Sequence, residues 1–171
     1  LVVGFVVGMT GVGGGSLMTP ILLWFGINPA TAVGTDLLYA AITKSGGIYV
    51  HHRNRNIDWS ITGWLTLGSV PAAALTLWLL HSLHSDTEAL NAVIRNALGY
   101  VLLLTALAIL FKQQLLNFAH KHAGDHYHLS GTSLNALTVL TGVVLGIMVT
   151  LTSIGAGALG TVALFILYPF L

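Results

Sequence analysis

From Leu134 to Leu171 the chain runs 38 residues without one charged or histidine side chain. As one straight helix that stretch would be about 57 Å long. The hydrocarbon core of a bilayer is only about 30 Å thick. The stretch must therefore bend sharply or return on itself as a re-entrant hairpin, and "SIGAG" (Ser153 to Gly157) is where it would do so. Water is excluded as its solvent by composition. Charged residues make up 6% of the chain and mean hydropathy is +0.86, whereas a soluble domain carries about a quarter charged residues. The expected fold class is an all-α membrane protein, a polytopic helix bundle. A barrel is excluded because no ten-residue units alternate in polarity.

Four further apolar segments precede this one. Leu1 to Phe25 is broken at Gly11 to Gly15, and Ala32 to Val50, Ile61 to Leu80 and Val93 to Phe111 follow. The last three each have the length of a helical span. Arg53 and Arg55 mark the loop after the second segment, and Lys112 and Lys121 the loop after the fourth. The loop from His81 to Asn91 has Asp86 and Glu88 and no Lys or Arg. Lys and Arg favour the cytoplasmic side. Arg53 to Asp58 and Lys112 to Ser130 are thus expected inside, and His81 to Asn91 outside. The net charge of +1 and the absence of cysteine exclude a nucleic-acid binder, a disulfide framework and an iron–sulfur protein. The chain begins and ends inside apolar runs, so it is expected to be part of a longer one.

"VGMTGVGGGSLMTPILLWF" (Val7 to Phe25) aligns without gaps on "VTLTSIGAGALGTVALFIL" (Val149 to Leu167). Val7/Val149, Thr10/Thr152, Gly13/Gly155, Gly15/Gly157, Leu17/Leu159, Thr19/Thr161 and Leu22/Leu164 are identical. This predicts an internal repeat, with residues 1–133 as a first unit and 134–171 as the truncated start of a second. Its orientation depends on whether the broken segments cross the membrane or re-enter. Paired, glycine-interrupted apolar segments point to the binding site of a secondary transporter. A break at membrane depth frees backbone groups that lipid cannot satisfy. The helix that restarts after it presents N–H groups and a positive dipole end, which suits an anion. Gly13, Gly14, Gly15 and Ser16 are the candidate residues in the first copy, and Gly155 and Gly157 in the second. Close helix packing is the competing account, since Gly4/Gly8 and Gly11/Gly15 also have small-xxx-small spacing.

"GVGGGSLMTPILLWFGINPATAVGTDLLYAAITKSGG", "NIDW" and "SIGAGALGTVALFILYP" resemble the sulfite exporter TauE/SafE family. The resemblance covers nearly the whole chain apart from its His-rich loop. It implies a bacterial inner-membrane permease of a small oxyanion, chiefly sulfite or an organosulfonate, working by alternating access around the glycine-rich breaks. The family's second half continues past its break with a counterpart of "AVGTD" (Ala32 to Asp36), which is absent here.

Among charged residues, Lys44 lies inside the second segment. It would contact or gate an anion, or snorkel to the interface. Asp36 lies about 12 Å from it along a helix axis, too far for direct pairing. It would cap a helix, pair across the bundle, or serve as a coupling or gating group. Thr35 and Thr43 carry hydroxyls for an oxyanion, or for their own backbone. Arg95 reads as an interface residue. The tract "HKHAGDHYH" holds His120, His122, Asp125, His126 and His128. It reads as a solvated loop, with metal binding as the alternative. An intramembrane enzyme needs a nucleophile–base pair at depth, and no histidine lies within a span to activate Ser16. The expected partners are a small oxyanion and membrane lipid, without cofactor, metal or nucleic acid.

Overall fold

A computed structural model describes residues 14–55, 57–82, 87–111, 113–114 and 131–168. Six helices account for nearly all of them: α1 (Gly15–Trp24), α2 (Pro29–Arg53), α3 (Trp59–Ser82), α4 (Thr87–Leu110), α5 (Gly131–Thr152) and α6 (Ala158–Leu167). No strand occurs among the described residues.

Local sequence explains most helix ends. At the end of α1, Gly26 (φ +78°) takes the left-handed conformation that halts the helix. Its N–H donates to Leu23 O at 2.9 Å, and Ile27 N–H donates to Leu22 O at 3.1 Å. That is a Schellman closure. Asn28 then starts α2: its Oδ1 accepts from Ala30 N–H at 3.0 Å, and Pro29 occupies the first helical position, where a missing N–H costs nothing. Arg53 stands in the last turn of α2, where a cation offsets the negative helix end. Asp58 caps α3 by accepting from Ser60 N–H at 2.9 Å and Ile61 N–H at 3.2 Å.

Among the described residues, three helices are long and apolar enough to cross a membrane: Trp59–Ser82, Thr87–Leu110 and Thr132–Thr152. The second expected span is a continuous 25-residue helix but is not one of those three. Asp36, Lys44 and a run of small and polar residues around "TKSGG" lower its hydropathy. Leu67, Leu75, Leu77 and Trp78 of α3, and Leu103 and Leu110 of α4, lie at least half exposed. Apolar faces of this kind suit lipid or a neighbouring helix.

Helices α3 and α5 make the closest pair. Val139 O, Leu65 O and Ser69 O lie against the Cα atoms of Gly68, Gly142 and Gly146 respectively, each too near to admit a Cβ. Small residues let two backbones touch in this way, and dispersion contacts between them replace the hydrophobic drive that lipid does not supply.

The 38-residue apolar stretch resolves into a hairpin. Helix α5 ends at Thr152 and α6 starts at Ala158. Tyr168 OH lies 2.8 Å from Thr138 Oγ1, which places the end of α6 beside the first half of α5. At the turn, Ser153 (φ +59°) and Gly155 (φ +109°) adopt the left-handed region, and Thr152 Oγ1 accepts from Ile154 N–H at 3.1 Å. Ile154 is 2% exposed and packs with Val33, Ile94, Leu98 and Val101. The turn is thus embedded among α2 and α4.

The Arg-rich turn between α2 and α3 supplies a test of topology. With no native cysteine, Asn54→Cys labels uniquely. The charge bias predicts that a membrane-impermeant thiol reagent reaches it only from the cytoplasmic face. Labelling from the outer face would reverse the orientation.

Candidate functional site

The first glycine segment and the second turn meet. A Cβ on Gly15 would lie 2.6 Å from the Ser153 carbonyl carbon and 2.8 Å from Asp36 Oδ2, and still closer to Ser153 O. Glycine is required at position 15 because the backbone of the distant turn approaches it directly. Gly14 is looser: its Cβ would sit 3.8 Å from Asp36 Oδ1 and 3.9 Å from the Tyr39 ring. Gly14 caps α1 with φ −51°, inside the right-handed helical region. The left-handed positions are instead Ser153 and Gly155.

Asp36 stands at the centre of this crossing. It is 0% exposed. Thr19 Oγ1 donates to its Oδ2 at 3.2 Å, which ties α1 to α2. Among the described residues, its Oδ1 has no hydrogen-bond partner. The hydroxyl of Ser153, a residue 9% exposed, is likewise buried without a partner. A buried polar atom left unpaired costs about 1–3 kcal/mol, more when charged. Such atoms persist where a ligand, ion or water satisfies them in function.

Helix α1 starts at the crossing, and α6 starts five residues after Ser153. Neither Gly14 at α1 nor Gly157 at α6 provides a side-chain cap. Each helix has ten residues, long enough for a dipole that favours an anion at its start. Gly157 O accepts from Thr161 N–H at 3.1 Å and from Thr161 Oγ1 at 2.7 Å, so Thr161 bonds differently from Thr19, the residue with which it aligns in sequence. Gly155 is buried, and its O accepts from Gly160 N–H at 2.9 Å.

Of the residues singled out in the sequence, Gly14, Gly15 and Asp36 come together, and Gly155 lies two positions beyond Ser153. Ser16 lies in the first turn of α1. Gly13 and the His-rich tract lie outside the described residues. Thr35 is exposed on α2, around the helix from its buried neighbour Asp36. Thr43 Oγ1 donates to Tyr39 O at 2.8 Å, as membrane threonines do. Lys44 is exposed and lines a separate hollow of about 660 Å³ with Gly47, His51, Ile57, Trp59 and Thr62. Arg95 is exposed on α4. Among the described residues, no group of three or more His, Asp or Glu side chains could hold a metal. Ser153 and Thr19 escaped sequence reasoning as site residues. Thr19 had a signal, its identity with Thr161. Ser153 aligns with Gly11 and had none.

A turn buried within a bundle of long apolar helices, packed against a glycine-capped helix start and an embedded carboxylate, defines a multi-pass α-helical membrane protein. The chain belongs to the TauE/SafE family: the model described as "Sulfite exporter TauE/SafE" matches residues 1–170. It is 42% identical over 169 residues to the probable membrane transporter protein YjnA of Bacillus subtilis, covering 98% of this chain and 65% of that protein. It is 35% identical over 100 residues to the probable membrane transporter protein YdhB of the same organism, covering 53% of this chain and 41% of the relative. The chain thus spans about two-thirds of the length of the first relative. No solved structure matches it.

Proposed function

We propose that the full-length protein is a secondary transporter that exports a small oxyanion, sulfite or an organosulfonate, across the bacterial inner membrane. One observation supports this reading above the others: Gly15 packs against Ser153, so two glycine-rich segments far apart in sequence form one buried site. The anion is held at the starts of α1 and α6 by backbone N–H groups of Gly13, Gly14, Gly15 and Ser16 from one side and of Gly155 and Gly157 from the other. The positive helix ends stabilise it by about 0.3–2 kcal/mol each, depending on burial. Lys44 and Thr35, exposed on α2 away from the crossing, act on the anion during its approach. Alternating access follows if the turn at Ser153 and the start of α1 separate on one side of the membrane at a time. The family description and the printed names of both relatives agree with transport rather than catalysis.

The test is flux. Proteoliposomes containing the full-length protein are expected to carry labelled sulfite, and empty liposomes or liposomes with a heat-inactivated sample are not. Turnover of sulfite to a new chemical species, with no flux, would overturn the reading in favour of an enzyme.

A further inference from the structure

The crossing also has a negative character that an anion site does not explain. Helix α5 ends at Thr152, and helix C-termini carry a partial negative charge on their last carbonyl groups. The next carbonyl, that of Ser153, and the Asp36 carboxylate touch the same face of Gly15. Thr19 adds a hydroxyl oxygen at 3.2 Å from Asp36 Oδ2. Ser153 adds a buried hydroxyl without a partner.

Among the described residues, no protein cation answers this oxygen cluster. Helix α1 has no charged side chain, and residues 131–168 contribute none either. Their one titratable group, Tyr168, bonds Thr138. On α2 the nearest titratable side chain is Tyr39, one turn from Asp36. Lys44 lies two turns away and is exposed. Glu88, Arg95 and Tyr100 of α4 are all exposed. A buried carboxylate without a counter-charge is costly, and it would repel an anion held at the start of α1.

We propose that Asp36, Thr19 and Ser153 form a binding site for a sodium ion. Hard cations take oxygen ligands from carboxylates, carbonyls and hydroxyls, and interrupted helices in carriers supply these at the C-terminal ends of half-helices. Sodium accounts for both orphaned atoms, Asp36 Oδ1 and Ser153 Oγ. A proton on Asp36 would neutralise the carboxylate but leave the serine hydroxyl unexplained. With the ion bound, Asp36 no longer opposes the anion, so the two bind together. That coupling rests on the proposed anion transport, whereas sodium binding itself does not.

Thermal unfolding of the full-length protein, with NaCl exchanged for choline chloride at constant ionic strength and pH, tests the site without any anion substrate. A saturable rise of Tm with sodium is expected. Asp36→Asn should abolish the rise. Thr19→Val, which retains the side chain's shape, should weaken the apparent sodium affinity about tenfold or more, and it keeps the test open if Asp36→Asn does not fold. A wild-type Tm indifferent to sodium overturns the proposal, as does an undiminished sodium response in Thr19→Val. A Tm that responds to pH but not to sodium also overturns it, in favour of a proton. Sulfite flux independent of sodium would overturn the coupling of sodium to the anion and leave the anion reading standing. Sodium stabilisation without flux would overturn the anion reading and leave the sodium site standing.

Discussion

Gly142→Val is expected to break the α3–α5 pair and destabilise the protein by about 3 kcal/mol or more. A Cβ at this position would lie 3.1 Å from Ser69 N and 3.2 Å from the Leu65 carbonyl carbon, and nearer still to Leu65 O. These are backbone atoms of a helix. They do not rotate aside as a side chain would, so the whole of α3 must move away. Moving it also separates Gly68 from Val139 and Gly146 from Ser69, which lie on the same seam. Gly99→Ala on α4 is the reference substitution, because nothing lies within 4 Å of its Cβ position. Alanine is favoured over glycine in a helix by about 1 kcal/mol, so Gly99→Ala should match or exceed wild-type stability. Unfolding by SDS titration measures both. Equal curves for Gly142→Val and wild type would refute the close pairing of these helices.

Gly15→Ala is expected to abolish transport, with at least a tenfold loss of sulfite flux, while Gly14→Ala stays near wild type. The two residues are neighbours in the same helix turn and differ in what surrounds them. One methyl group at position 15 collides with the Ser153 carbonyl and with Asp36 Oδ2 at once, whereas at position 14 it makes ordinary contacts at 3.8 and 3.9 Å. Pushing the Ser153 turn away from α1 also disturbs Ile154, which is 2% exposed within the core. The cost therefore falls on the site and on the packing around it. Flux per folded protein, with folding followed by size-exclusion profile, separates the two contributions. Similar flux in both alanine variants would mean that the close approach at Gly15 does not matter to function.

Much of the fold was legible in the sequence because it depends on local chemistry. Charge content and apolar run length gave the membrane helices. "GINP" encodes both the closure of α1 at Gly26 and the capped start of α2 at Asn28. The excess length of the apolar stretch from Leu134 required the reversal that Ser153 to Gly157 makes. The site was legible only in part. Glycines at 14 and 15 look equivalent as letters, yet a tertiary contact with Ser153 distinguishes them, and no local pattern reports such a contact. Asp36 and Lys44 both read as charges inside one segment. Helical phase and the packing of α1 bury the first completely and leave the second exposed. Sequence could place them about 12 Å apart along the axis, but not assign one to the interior. Ser153 gave no warning, because its carbonyl, its left-handed conformation and its buried hydroxyl matter only where the turn meets α1, and a lone serine in a run of small residues does not report that contact.

The proposed anion site lies where the start of α1 meets the second turn. The affinity of purified, folded Gly14→Val for sulfite tests this most directly. A β-branched side chain there fills the space between the first turn of α1 and the Asp36 carboxylate, whose Oδ1 lies 3.8 Å from the Cβ position. Losing one contact to a partly buried helix end costs about 1–2 kcal/mol. The predicted result is a roughly five- to thirty-fold rise in Kd. Wild-type affinity in the folded fraction of Gly14→Val would contradict the claim: the glycines would then serve packing alone, and the anion would bind elsewhere.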